Sequence, residues 1–274
     1  MPHAAQSTIN PARAIFFRDL KGDLGSEALE TLDPEKSMSQ ALPTLTGSSA
    51  TKLEIYPCTT QKPTPAAIAG SISTTALQVG LGKEIARWRT GPTKTVNFAV
   101  LATGYPKPEL AFLAANKLHE AANEWNALKL GVQFEWVYKI EDAAFVLTYA
   151  EQVNPGTLAE AFFPNNIDLN VLNVYPAAFK EGTVPYLKNI FLHELGHVLG
   201  LRHEFAPELE TGANLKSVQI GPRNPTSVMG YEFPPQLQQS DIDSAKAFYQ
   251  FPGTHLGVWQ KPGTLPIVDY DANN

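Results

Sequence analysis

The chain has almost no cysteine. Its 274 residues include one, Cys58, so an intrachain disulfide is excluded. Cysteine usage therefore neither demands nor forbids an oxidising compartment, because a chain without disulfides does not depend on the redox state around it.

Long apolar runs are also lacking. No uninterrupted apolar stretch approaches the roughly 20 residues that a membrane-spanning helix needs. Residues 1–7 lack the charged start and the apolar run of a secretory signal. The sequence thus predicts a soluble chain with no membrane span and no visible export signal.

Positive charge is in the minority. There are 21 Lys and Arg residues against 27 Asp and Glu residues, which gives a formal net charge of −6. With no basic cluster and no interleaved aromatic stripe, a nucleic-acid-binding surface is not expected. Hydrophobic residues make up 43% of the chain, which is enough to bury the core of one substantial domain, with or without an appended segment.

What the chain does have is a group of histidines in residues 193–204, which read HELGHVLGLRHE. His193 and His197 are four residues apart, so on an α-helix they lie on one face and can bind one ion together. Gly200 follows, where the helix must end and a left-handed glycine lets the chain turn sharply. The turn brings back His203 as the third ligand.

Three neutral histidine nitrogens leave one position of a tetrahedral metal open for water, as in catalytic zinc sites. A structural site would have a fourth protein ligand, usually cysteine, and Cys58 lies far upstream. Glu194 lies about 100° round the helix from His193, too far for a ligand but placed to reach that water. We therefore expect one zinc ion, with Glu194 as the general base.

A catalytic zinc site has two alternatives. In the first alternative, the histidines are ordinary residues of an amphipathic helix. That alternative leaves the turn glycine and the third histidine unexplained. The second is a zinc site that has lost catalysis, and the presence of Glu194 argues against it.

A second motif lies downstream. Residues 227–231 read SVMGY and resemble the Met-turn of the metzincin metalloproteases, which share the HExxHxxGxxH pattern. The resemblance implies that Met229 forms an apolar floor beneath the histidines. It also implies that Tyr231 lies beside the metal, where its phenol ligates zinc or hydrogen-bonds the tetrahedral oxyanion; a tyrosine that only packs there is the alternative. The leucine at position 201 resembles the matrixin motif, whereas Glu204 and Tyr231 resemble the astacin motif. No subfamily is therefore assigned.

The order of expected elements is also similar to the metzincin upper subdomain: a strand, a long helix, further strands and the histidine helix. The expected strands cover 96–101, 132–138, 143–149, 157–163 and 168–174, and the expected helices cover 108–128, 183–199 and 240–249. Thr183 is expected to cap the histidine helix. The resemblance spans about residues 82–252 and implies an α+β, zincin-like fold with a mixed twisted sheet and a small C-terminal subdomain that closes the zinc cleft.

Three segments are expected along the chain. Residues 1–80, rich in Ser, Thr, Pro and Ala, have the pattern of a loosely packed extension or a pro-region. Residues 81–252 form the catalytic domain, with the cleft between 81–200 and 201–252. Residues 253–274 form a C-terminal tail.

Three residues outside the ligand set invite a functional interpretation. Cys58 lies upstream of the catalytic unit, as the latency cysteine does in matrixins, where a thiolate takes the water position on zinc. The residues around it do not match the matrixin motif, so a plain free thiol is the alternative. His119, with Asn123 four residues on, is expected to be an ordinary solvated histidine, and Glu204 is expected to be structural.

Together these features predict a zinc-dependent endopeptidase that acts on protein or peptide substrates. Segment 156–163 is expected to be the edge strand above the cleft, along which a peptide pairs by main-chain hydrogen bonds. The alternatives are a non-catalytic zinc-containing module that holds a peptide in the same cleft, and a zymogen whose N-terminal extension fills it. A monomer is favoured, and the resemblance favours a secreted protein, with the cytoplasm as the alternative.

Overall fold

The computed structural model describes residues 30–40, 77–80, 83–151, 156–204, 216–258 and 262–272. The helices in these residues are α1 (Pro34–Met38), α2 (Pro108–Asn126), α3 (Leu187–Val198) and α4 (Gln239–Gln250). The strands are β1 (Gln78–Val79), β2 (Ile85–Trp88), β3 (Thr95–Val100), β4 (Gln133–Trp136), β5 (Phe145–Tyr149), β6 (Ala159–Glu160), β7 (Asn170–Val174), β8 (Leu201–Arg202), β9 (Val218–Gln219), β10 (His255–Gly257) and β11 (Thr264–Tyr270). This part of the chain is a mixed α+β structure, as expected, and it contains no helix long and apolar enough to cross a membrane.

A five-stranded sheet forms the centre of the fold. Its order is β4-β3-β5-β7-β6, in which neighbours pair in parallel except for β6, which is antiparallel to β7. Phe145 and Leu147 of β5 belong to the main core on one face, and Val146 belongs to a smaller apolar cluster on the other. The expected mixed sheet is therefore present. β6 is shorter than the expected strand 157–163. Pro164, which has no N–H for a sheet hydrogen bond, follows the last residue of that expected strand.

The long helix α2 lies against the main core. It begins at Pro108, whose fixed φ suits a first helical turn, and ends at Asn126. Leu113 and Trp125 are among its buried residues, which recur at helical spacing. Trp125 Nε1 donates a 2.9 Å hydrogen bond to the carbonyl oxygen of Leu192, so α2 is joined directly to α3. The predicted long helix is confirmed.

The C-terminal segment belongs to the fold. β11 pairs in parallel with β2 and antiparallel with β10, and both Val258 and Leu265 are buried. Arg87 Nε in β2 donates to Asp269 in β11 at 2.7 Å, across 182 positions of sequence. The described residues of 253–274, expected as a tail, thus pair with β2, a contact that gives no local signal because the partner strand is so distant in sequence.

The first described residues also pack against the core. Leu32 is buried, and its backbone N–H donates to the carbonyl oxygen of Val100 at 2.9 Å. α1 contacts α2, where Asn116 Nδ2 donates to the carbonyl oxygen of Ser37 at 3.3 Å. The expectation for Cys58 falls outside the described residues.

β1 is the central strand of a second sheet, whose order is β8-β1-β9. It pairs antiparallel with both neighbours, and Leu77 and Val79 are buried. A segment boundary at residue 80 would therefore remove the middle strand of this sheet. The described parts of 1–80 are packed, unlike the loosely packed extension that the composition predicts.

We expect that deletion of residues 1–80 destabilises the protein much more than deletion of residues 1–76. Only the longer deletion removes β1, and burial of an apolar side chain such as Leu77 or Val79 stabilises a fold by roughly 1.5–3 kcal/mol. Urea denaturation of the two truncated proteins measures the difference. Equal denaturation midpoints would show that β1 does not contribute to stability.

Candidate metal centre

The helix α3 carries His193 and His197, and it is shorter than the expected helix 183–199. It begins at Leu187, after a 3-10 turn at Val184–Tyr186, rather than at Thr183. Thr183 does not cap it, because the threonine hydroxyl donates instead to the carbonyl oxygen of Ala177 at 2.6 Å. From residue 190 to its end every residue of α3 is buried, so its histidines lie in the protein interior.

The turn after α3 requires glycine. The helix ends at Val198, and Gly200 has φ +90°, in the left-handed region. A Cβ atom at this position would lie 2.4 Å from the carbonyl oxygen of Ala86 in β2, so any side chain would collide with backbone. The predicted glycine turn is confirmed, and the chain passes from it through β8 to His203.

Three buried histidines converge beyond this turn. The ring nitrogens of His193, His197 and His203 that can bind a metal lie within 4.8 Å of one another, and all three residues are buried. The Nε2 atoms of His193 and His203 are 3.2 Å apart. Imidazole nitrogens suit a divalent ion of the zinc, copper, iron or nickel type. The structure thus brings the predicted ligands together in a group that can hold a metal ion.

Backbone carbonyls fix the ring orientation of two of these histidines. His193 Nδ1 lies 2.7 Å from the oxygen of Val228, and His197 Nδ1 lies 2.8 Å from the oxygen of Leu201. A carbonyl oxygen only accepts hydrogen bonds, so each Nδ1 carries the proton and each Nε2 presents a lone pair. Burial, followed by the neighbouring histidines, lowers the pKa of both rings well below its usual value. Both rings are therefore neutral, which is the form that binds metals.

The turn at residues 227–230 packs beneath α3. Met229 is fully buried, and its Sδ atom lies 2.4 Å from the position that a Cβ atom on Gly196 would occupy. A glycine in the middle of the helix therefore lets the methionine pack directly against α3. Sequence reasoning missed Gly196, although a glycine inside a helical pattern signals close packing.

A buried carboxylate holds this turn in place. Asp241 of α4 accepts hydrogen bonds from Ser227 Oγ at 2.6 Å and from the backbone N–H of Val228 at 2.8 Å. Val228 in turn accepts the hydrogen bond from His193, so Asp241 supports a ligand through a single intervening residue. Sequence reasoning missed Asp241 as well. Its signal is its place as the third residue of a helix, where an aspartate can complete a capping box.

The two residues with expected chemical roles lie at the same place. Glu194 is fully buried in α3, next to His193. Tyr231 is 7% exposed, and its ring centroid is 4.9 Å from that of His203. Tyr231 therefore lies beside one of the three clustered histidines, and Glu194 follows another directly in the helix.

Glu204 connects the third histidine to the turn below. Its backbone N–H donates to the carbonyl oxygen of Met229 at 2.9 Å. One oxygen of its buried carboxyl group accepts from the backbone N–H of Asn224 at 2.6 Å. Burial raises the pKa of this carboxyl group to about 8. These contacts agree with the structural role expected for Glu204.

The edge of the large sheet approaches the histidines. β6 is the last strand of that sheet among the described residues and contacts α3, as expected for an edge strand above the site. The chain then continues to Phe163, whose ring packs edge-on against His197 with the centroids 5.5 Å apart. One wall of the metal centre is therefore continuous with the sheet edge.

His119 takes no part in this centre. Its Nε2 atom lies 3.0 Å from Asn123 Nδ2 on the same helix, and its ring lies 5.8 Å from that of Trp136. The side chain is half-buried rather than fully solvated, and this burial lowers its pKa. In the described residues His119 belongs to no group of metal ligands.

No family model and no curated protein matches the chain. The histidine motif and the geometry of the three buried rings are therefore the support for a metal site.

We expect His197→Ala to lose the bound metal, because two remaining nitrogens are too few to hold the ion tightly. Metal analysis of the purified protein should find about one ion per chain in the wild type, as in other open sites of this type. His119→Ala is the matched control and should keep full metal content. Full occupancy in His197→Ala would end the ligand assignment.

Proposed function

We propose that the chain is a zinc-dependent endopeptidase of the metzincin type. The observation that carries this proposal is the convergence of three buried imidazoles, two of them oriented by backbone carbonyls, with a glutamate next to His193 on α3. The Met229 floor, the glycine turn and the α+β architecture support the family assignment. The test is hydrolysis of a protein substrate that stops when the metal is removed.

The ligand set fits zinc. His193, His197 and His203 supply three nitrogens and leave a fourth position for water, the arrangement typical of catalytic zinc. When bound there, zinc lowers the pKa of its water to about 7 and polarises a substrate carbonyl. The carbonyl partners of His193 and His197 supply the outer hydrogen bonds that such ligands usually make.

Glu194 is the proposed general base. As the neighbour of His193 on a buried helix, its carboxylate lies where a low dielectric strengthens its interactions. It accepts the proton of the attacking water and later delivers that proton to the nitrogen of the departing amine. One side chain thus serves as base and then as acid.

Tyr231 is the proposed oxyanion partner. Its ring lies against His203, at the side of the triad that faces the turn after Met229. Its hydroxyl donates a hydrogen bond to the carbonyl oxygen of the substrate as negative charge develops on that atom.

The substrate is proposed to be an extended peptide. Among the described residues β6 is the terminal strand of the large sheet and contacts α3, and Phe163 continues that edge to His197. An extended peptide that lies along such an edge is held by main-chain hydrogen bonds, with its alternate side chains in pockets. A sheet edge beside the metal favours a polypeptide substrate over a small molecule.

We expect Glu194→Gln to keep its metal and its fold but to lose about 10²–10⁴-fold in kcat, the usual contribution of acid-base catalysis. Casein cleavage and metal content should be measured in parallel. Glu135→Gln, on the opposite edge strand of the large sheet, makes the same chemical change and should be fully active. Comparable rates in wild type and Glu194→Gln would show that Glu194 is not the base. Peptide binding without any turnover by the wild type would favour a non-catalytic module.

We expect Tyr231→Phe to lower kcat and kcat/KM together by roughly 10²–10³-fold, because the lost hydrogen bond exists mainly in the transition state. Steady-state kinetics on one fluorogenic peptide measures both constants. A change of only a few-fold would mean that the tyrosine packs beside His203 without a chemical role.

A further inference from the structure

A cavity of about 260 Å³ lies beside the metal centre. It opens where three parts of the fold meet: the start of β2, the turn after α3 and the segment that follows β6. Its described lining residues are Gly80, Glu84, Ala86, Phe163, Pro164, Asn165 and Gly200. Its volume is below the roughly 300–1,000 Å³ of sites that enclose whole drug-sized ligands, so it suits one side chain rather than a complete small molecule.

Phe163 separates the cavity from the metal. The phenylalanine lines the cavity and also packs edge-on against His197, with the ring centroids 5.5 Å apart. Gly200, which also lines the cavity, lies in the turn that carries the chain from α3 towards the third histidine. A group in this cavity is therefore one aromatic ring away from a metal ligand.

The charge among the described residues of the cavity lining is negative. Among the described lining residues Glu84 alone is charged, and it accepts a hydrogen bond from the hydroxyl of Tyr270 in β11. Asn165 is held by its own hydrogen bonds, since its Nδ2 donates to the oxygen of Phe163 at 2.8 Å and its Oδ1 accepts from the N–H of Ile167 at 2.7 Å. The cavity thus presents a carboxylate and a fixed amide between apolar walls.

The direction of the sheet edge relates this cavity to a bound peptide. β6 runs towards Phe163 and therefore towards the cavity. A peptide that pairs antiparallel with β6 has its N-terminal half at that end. Extended residues advance about 3.3 Å each and point alternately to opposite faces, so a side chain a few residues before the scissile bond reaches the cavity.

We propose that this cavity is a specificity pocket for a lysine or arginine side chain on the N-terminal side of the scissile bond. The proposal rests on the endopeptidase function proposed above. The long aliphatic stem of either residue contacts Phe163 and Pro164, and the cationic end pairs with the Glu84 carboxylate. Neutral side chains of similar length lack the charge, and acidic ones are repelled.

The test uses a set of fluorogenic peptides in which each of the three residues before the cleaved bond is varied in turn. The varied position holds lysine, glutamine or glutamate. Wild-type kcat/KM should favour lysine over glutamine by about 5-fold or more at one of these positions, the factor expected for an ion pair at the strong end of the surface range. Glu84→Gln keeps an acceptor for the Tyr270 hydroxyl but removes the charge, and it should abolish the preference. Tyr270→Phe keeps the carboxylate and should retain it, as should Glu135→Gln.

Binding provides a readout that does not depend on turnover. In the Glu194→Gln background, fluorescence anisotropy should show tighter binding of the lysine peptide than of the glutamine peptide, and Glu84→Gln should remove that difference. Cleavage of all peptides at similar rates, or an unchanged preference in Glu84→Gln, overturns the pocket and leaves the endopeptidase proposal intact. A charge preference in binding without any cleavage by the wild type supports the pocket and overturns the proposed catalysis.

Discussion

The metal centre depends on the hydrogen bonds that two histidine rings make through Nδ1. Val228 accepts from His193 and Leu201 accepts from His197, so the Nε2 lone pairs are directed before any ion arrives. One acceptor belongs to the turn under α3 and the other to the strand that follows it. The orientation of both rings is therefore coupled to the tertiary structure, because displacement of either segment releases a ring from the orientation in which it could bind a metal.

The position of α3 itself is fixed from three directions. Trp125 donates to Leu192 in the middle of the helix, and Trp88 donates to the carbonyl oxygen of Val198 at 2.7 Å. Tyr249 donates to the carbonyl oxygen of Leu199 at 3.0 Å. The last carbonyl groups of a helix have no hydrogen-bond donors within it. Here the side chains of Trp88 in β2 and Tyr249 in α4 are the donors. Two carbonyl groups at the buried end of α3 thus have side-chain donors.

Local patterns predicted most of the site, whereas contacts between distant segments were missed. The histidine spacing, the glycine turn and the long helix follow from helical periodicity and the conformational freedom of Gly200, which are short-range properties. The buried Asp241, the pairing of β11 with β2 and the insertion of β1 between β8 and β9 join residues far apart in sequence, and no periodicity records them. Thr183 differs, because its competing hydrogen bond to Ala177 is local and only six residues away.

The insertion of β1 between two later strands also constrains the order in which the protein is made. Arg202 Nη1 donates to the carbonyl oxygen of Gly80 at 2.8 Å, across 122 positions of sequence, and β9 follows later still. During synthesis β1 therefore has neither of its partner strands until β8 and β9 have left the ribosome. Such long loop closures are slow and leave strand edges exposed to other chains. His203 directly follows β8 in the sequence, so the third histidine of the group adjoins a sheet whose strands come together only late in synthesis.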